Sequence, residues 1–420
     1  MSAPRRRSEP PTIVSAGFPP YHPGSAASRT AVGGRLRSVD IVRGAVMVLM
    51  ALDHVRVFAG VPAGGPTPAL FLTRWVTNFC APIFFFLAGT GAYLYARKLG
   101  DRGVVARWLA LRGAWLVLLE LTVLRLAWTF NVDYAHYLLA GVIWSLGLSM
   151  IVMGALVYLP LRAIGAFGIA MIVLHDGIRS LLVRSFPQLV DGGAPWYAAM
   201  LYFGGGIQLA GPDGPTLIVL YSLIPWVGVM AAGYAFGAVM ALDAERRRRI
   251  VLTLGSTAVM AFLVLRGLDV YGDPRHWSSA TGGGAPWMRF LNTSKYPASL
   301  LFLLMTLGPM LLVLPVLERA RGRLLDVLAL FGRVPLFFYL LHIPLIHAVA
   351  MVVSLIRRDG GIGWLVGNHP VMIGPPPAGY TWSLPLLYAI TALCVALLYL
   401  PCRWFAARRA TQPQSWLRYL

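Results

Sequence analysis

Apolar stretches about twenty residues long follow one another along almost the whole chain, and each is long enough for a helix to span a bilayer, which takes roughly 20 residues. Composition agrees. Charged residues make up 12% of the 420, where a soluble domain carries about 25%, and the mean hydropathy is +0.68. The expected fold is therefore all-α, one polytopic helical bundle in a membrane in preference to two or three soluble domains.

Ten spans are expected, at 38–59, 75–96, 108–128, 137–159, 162–182, 216–241, 250–267, 298–317, 334–356 and 383–403. Residues 1–35, rich in Pro, Ala, Ser and Arg, read as a disordered basic tail, 36–404 as the membrane domain and 405–420 as a short basic tail. The first apolar run begins too late for a cleaved signal peptide. If alternate connections lie on opposite sides, the side holding the N-terminus carries 25 of the 36 Lys and Arg residues. That bias puts both termini in the cytoplasm. It also gives the net charge of +20 a role with lipid headgroups in place of nucleic acid. Cys80, Cys394 and Cys402 all fall within or at the ends of apolar spans, so no disulfide framework is indicated. The connections 183–215 and 268–297 then lie outside, rich in Gly, Pro, Trp and Tyr, which suits an interfacial cap or a substrate entrance.

An ionisable side chain near the bilayer centre costs at least about 2.5–3.5 kcal/mol on insertion scales, so each one is a functional candidate. The first span holds the densest set: Asp40, Arg43, Asp53, His54 and Arg56. Only Gly44 to Leu52 separate Arg43 from Asp53, too few residues to cross. Asp53 and His54 then lie within the membrane, or the helix ends early. Arg43 and His54 are eleven positions apart, three helical turns, so they share a face roughly 16 Å apart along the axis. Asp40 lies near that face, and a thin, elongated substrate could touch both ends of it. The blander alternative makes Asp40 and Arg43 an i,i+3 ion pair and 53–56 the outer end of the span. An imidazole titrates near neutrality and a carboxylate can fix its tautomer, which makes His54 a candidate general base. Asp53 is adjacent, but consecutive helical residues point about 100° apart, so another carboxylate is an equal candidate to orient the ring.

Elsewhere, Lys295 in Asn292-Thr-Ser-Lys-Tyr-Pro297 is a candidate for binding an anion or an acceptor, or a snorkelling interfacial lysine. His342 sits deep in the ninth span, as a substrate-pocket residue or a hydrogen-bonded core residue. Its spacing of five from His347 and the intervening Pro344 argue against a metal pair, and no metal is expected. Glu120 and Arg125 read as partners for other helices or as braces for Asp53 or Arg56. The clusters Gly204–Gly206 and Gly282–Gly284 lack the context of a phosphate loop and read as flexible loop. Gly233 and Gly237 fit close helix packing, and Arg246–Arg249 a topology anchor. The GxSxG motif is absent.

Arg37-Ser-Val-Asp-Ile-Val-Arg-Gly44, followed by "MALDH", resembles the first span of the heparan-alpha-glucosaminide N-acetyltransferase catalytic family. "TRWVTNFCAPIFFFLAGTGAYL" (73–94), "TSKYPASLLFLLMTLGP" (293–309) and "GRVPLFFYLLHIPLIHA" (332–348) resemble its bacterial members. The wider transmembrane acyltransferase superfamily is similar in placing a histidine eleven residues after an arginine of its first helix, which maps onto Arg43 and His54. The resemblance implies transfer of an acyl, and in the first instance acetyl, group from cytoplasmic acyl-CoA to a hydroxyl or amine acceptor. That acceptor would be a glycan or glycolipid reached from the far side of a bacterial inner membrane. His54 would deprotonate the acceptor or carry the acyl group itself. Eukaryotic lysosomal members have Asn at the position of His54 and a histidine in the following loop, whereas residues 57–73 here contain none. On this reading the catalytic pair is His54 and Asp53. Asp40, Arg43, Arg56, Lys295 and His342 bind substrate, and acetyl-CoA or another acyl-CoA is the donor. The bilayer and the acceptor are the remaining partners, and a homodimer is compatible with the sequence. A multi-pass transporter or lipid-linked substrate flippase is the alternative, since the same charges could form a proton relay. A noncatalytic scaffold leaves the first-span cluster unexplained.

Overall fold

The structure, a computed structural model, describes residues 36–65, 67–189, 195–211, 213–279, 284–369 and 374–412. Gly282, Gly283 and the tails 1–35 and 413–420 lie outside the described residues. A helix lies in each of the ten expected stretches. They are α1 (Arg37–Phe58), α2 (Pro68–Leu99, with a 3-10 turn at Val76–Phe79), α3 (102–129), α4 (Val142–Leu156), α5 (Leu161–Ser185), α6 (Trp226–Met240), α7 (Ala244–Leu268) and α8 (Leu300–Arg319). A further helix, α9 (Arg323–Arg333), falls in a basic connection where no helix was expected; α10 (Pro335–Arg357) and α11 (Leu384–Thr411) complete the longer helices, and short ones lie at Trp196–Ala198, Pro286–Leu291 and Ile362–Leu365. Six of them, α2, α5, α7, α8, α10 and α11, are long and apolar enough to cross a membrane. The others miss that description for visible reasons: α1 carries its charges, α3 is interrupted by a π turn at Glu120–Leu124, α4 and α6 have 15 residues each, and α9 has 11.

The outer surface is apolar. Only 11% of the apolar window of α5 and 22% of that of α7 and of α11 is buried inside the protein, with Ile169, Leu181, Met260, Leu268, Leu397 and Leu400 facing outward. A water-soluble protein rarely exposes such continuous apolar faces. Inside, helices meet at paired glycines. A Cβ on Gly89 of α2 would stand 2.0 Å from the carbonyl oxygen of Met230, and one on Gly233 of α6 2.0 Å from that of Phe86. Gly113 of α3 and Gly147 of α4 face one another likewise, each hypothetical Cβ within 2.5 Å of the other glycine's carbonyl oxygen. Without a hydrophobic force between helices in lipid, such backbone approach supplies the packing.

Not all of the protein is helical. Strands β1 (Tyr137–Ala140), β2 (Gly205–Gln208) and β3 (Thr216–Val219) form a sheet in the order β1-β3-β2, with β1 parallel and β2 antiparallel to β3. Leu138 pairs with Leu217 and Ile207 with Leu217 from the other side. Two expected spans, 137–159 and 216–241, thus begin as strand, and the glycines at 205 and 206 belong to a strand where a loop was expected. Short apolar runs such as Thr216-Leu-Ile-Val219 carry no period that separates strand from helix. Helix α11 also continues to Thr411, past the expected end at 403.

Connections between helices cluster at the two ends of the bundle. At one end Arg37 binds the Ala320 carbonyl and Asp326, Arg102 the Tyr158 carbonyl, Arg247 Glu318 and Arg409 the Arg333 carbonyl. At the other, Arg125 binds Asn368, Trp382 N–H the Ala59 carbonyl, and β1 pairs with β3.

Candidate active site

Helix α1 is buried on nearly all sides. Gly44 lets it touch α9, where a Cβ would stand 1.8 Å from the Leu328 carbonyl oxygen, and Gly332 at the end of α9 sits as close to Asp40. From that contact α10 climbs alongside α1 in the same direction. Ten residues after Gly332 and eleven after Arg43, the two helices bring His342 and His54 together.

His54 Nδ1 lies 2.7 Å from His342 Nε2, with the rings stacked at 4.9 Å between centroids. The far nitrogen of His342, Nδ1, is 2.7 Å from the Tyr339 carbonyl and 3.2 Å from that of Phe338. A carbonyl only accepts, so His342 Nδ1 carries a hydrogen, and in the neutral ring its Nε2 is the acceptor. His54 Nδ1–H therefore donates to it, and the lone pair of His54 falls on Nε2. The expected carboxylate partner is replaced by an imidazole. His342 is fully buried, while His54 is half-buried with Trp128 packed edge-on at 4.7 Å.

Asp53 faces elsewhere. Its carboxylate accepts from Arg56 Nε at 3.0 Å and lies 3.9 Å from Arg74 Nη1 and 4.0 Å from Lys295 Nζ. Arg56 also donates to the Val61 carbonyl at 2.7 Å, which ties down the end of α1 and makes it a brace as much as a binding residue. Arg74 is held by Thr77 Oγ1 and Asn78 Oδ1, at 2.8 and 2.9 Å. Arg74 is a site residue that the sequence patterns above do not single out. The signal was there: an arginine one residue before the expected span 75–96 and within the 73–94 motif.

Lys295 comes from the connection before α8. Asp273 accepts from Ser294 N–H, Ser294 Oγ and Ser299 Oγ, at 2.7, 3.0 and 2.7 Å. His175 Nε2 donates to the Ala298 carbonyl and Asp176 accepts from Leu300 N–H, both at 2.8 Å. Asp133, in the connection after α3, is held below its ordinary range chiefly by the hydrogen bond from His136.

Near the start of α1, Arg43 donates to the Gly332 carbonyl at 3.3 Å and stands 3.8 Å from Asp40, so the i,i+3 pair exists. Arg112 is close enough to Arg409 and Arg43 to feel both charges. Of the sequence-predicted residues, His54, Asp53, Arg56, Lys295 and His342 come together, and Asp40 and Arg43 lie at the other end of α1. Glu120 and Arg125 brace neither Asp53 nor Arg56. Glu120 caps α4, accepting from Ile143 and Trp144 N–H at 2.8 and 3.1 Å, and Arg125 holds the carbonyls of Tyr137, Asn131 and Asp133. His347 turns away from His342 and donates to the Ala127 carbonyl.

Among known proteins, no curated protein matches the chain. Residues 35–271, more than half of the sequence, match the family model described as heparan-alpha-glucosaminide N-acetyltransferase, catalytic, and the chain belongs to that family.

Proposed function

We propose that the protein is an integral membrane acetyltransferase that moves an acyl group from acyl-CoA to a hydroxyl or amine acceptor, with His54 as general base. The observation that carries this is the hydrogen-bond chain from the Tyr339 carbonyl through His342 to His54, which leaves a lone pair on Nε2 of a half-buried ring. The acceptor loses its proton to His54 Nε2 as its oxygen or nitrogen attacks the thioester carbonyl. The carbon–sulfur bond then breaks and the departing thiolate takes the proton back. His342 shares the charge of the transient imidazolium through the shortened hydrogen bond. Asp53 acts at one remove, gathering Arg56, Arg74 and Lys295 beside the ring. At the other end of α1, Arg43 and Arg112 offer cations to the phosphates of acyl-CoA, roughly 16 Å away along the helix.

On the same reading the chain crosses ten times with both termini in the cytoplasm, so that the donor enters from the arginine end and a glycan or glycolipid acceptor from the other. This topology is supported by the contacts between connections described above, each of which joins segments that alternation places on the same side. A bacterial inner membrane fits the resemblance to bacterial family members. The test is transfer of labelled acetyl from acetyl-CoA by the purified protein. His54→Ala is expected to lose about 10²–10⁴-fold in rate, and His342→Ala a large part of that. Undiminished transfer in His54→Ala, or donor-independent movement of substrate across proteoliposomes, would overturn the assignment.

A further inference from the structure

The group around Asp53 is unbalanced. Three cations, Arg56, Arg74 and Lys295, share one carboxylate, and all three side chains are largely buried, at 7%, 14% and 8% exposure. Lys295 is the clearest case. Its ammonium carries three donors yet makes no hydrogen bond to any described residue; it pairs with Asp53 Oδ2 at 4.0 Å, and the Tyr296 ring lies 5.3 Å away. Arg74 uses Nη1 alone, leaving Nε and Nη2 without a hydrogen bond among the described residues. Other carboxylates nearby are engaged. Asp273 spends both oxygens on Ser294 and Ser299, and Glu120 serves the N-terminus of α4.

Acyl transfer does not remove this surplus. The proton that reaches His54 adds one positive charge, and the oxyanion that forms on the thioester carbon adds one negative charge. The sum at the site is unchanged, and the reacting end of a thioester is neutral. Cations on largely buried side chains whose idle donors remain accessible favour a counter-charge, and the substrate left to supply it is the acceptor. We propose that the acceptor carries an acidic group, a carboxylate or a phosphate, which seats on Lys295 and Arg74 and so presents its hydroxyl or amine to His54 Nε2. The naming of this anion as the acceptor's rests on the transferase reading; the anion site itself does not.

The experiment follows the thermal unfolding midpoint of the full chain in lipid nanodiscs at matched ionic strength, titrated with glucuronate, glucose 6-phosphate or neutral glucose. At least one of the two acids raises the midpoint of the wild type in a saturable way and glucose does not. Lys295→Met weakens the apparent affinity for that acid at least tenfold, Arg74→Gln does the same, and Lys295→Arg restores most of it. Equal responses to acids and glucose, no response to either acid, or an unaltered response in Lys295→Met would overturn the proposal. His54→Ala separates the two ideas: it abolishes transfer and keeps the acid response. An acid response from a protein that transfers acetyl to nothing would leave the anion site standing and remove the transferase reading.

Discussion

At the scale of single residues, the ionisable groups of this chain divide by what their hydrogen bonds already do. Glu120 is spent: it replaces the missing cap of α4, whose first N–H groups have no acceptor within the helix. Gly141 makes room for it, since a Cβ there would stand 2.7 Å from Glu120 Oε1. Glu120→Ala leaves two buried N–H groups unpaired and is expected to destabilise the protein by about 1–3 kcal/mol. Glu120→Gln, which keeps an acceptor oxygen, retains most of the wild-type midpoint in thermal unfolding. His54 and Lys295 are the opposite kind of residue, each with a polar atom that makes no hydrogen bond to a described residue, and each tied to the Asp53 end of α1. The sequence marked Glu120, His54 and Lys295 alike, because insertion into a membrane is unfavourable for all of them. Only the partners separate a cap from a site.

At the scale of elements, the pairing of α1 with α9 and α10 sets the distance between the two ends of the proposed substrate path. The paired glycines Gly44 and Gly332 fix that contact, because any side chain there meets backbone and backbone cannot swing aside. Gly332→Leu should push α9 off Asp40, shift Arg43, and lower stability by roughly 3 kcal/mol or more through overpacking. A thermal midpoint within 1–2 °C of the wild type would show that the contact carries little. Apolar length exposed ten helices but not α9, an amphipathic helix of 11 residues that is too short for a span and set among arginines. Nor did it expose the sheet, where each strand has four residues and is held by a partner far away in sequence.

At the scale of the whole molecule, long helices whose outward faces are apolar mark a protein solvated by lipid. The three cysteines are buried, so single surface cysteines report sidedness cleanly. Arg102→Cys, at the arginine-rich end, is expected to react with an impermeant maleimide only once vesicles of cytoplasmic-side-in orientation are opened. Tyr197→Cys, at the other end, is expected to react in sealed vesicles. Labelling of both from one face would break the ten-span topology and the two-sided path with it.

The sequence by itself determined the membrane bundle, the order of its helices to within a few residues, and the residues worth suspicion. Each of these depends on local composition and period, which a chain carries wherever it folds. Tertiary structure decided the partners: that an imidazole ten residues past Gly332 orients His54, that Asp53 collects cations, that Arg74 joins them, and that Glu120 is a cap. These are contacts across as many as 288 positions, set by helix crossings at small residues, and no spacing along the chain encodes which helices will meet.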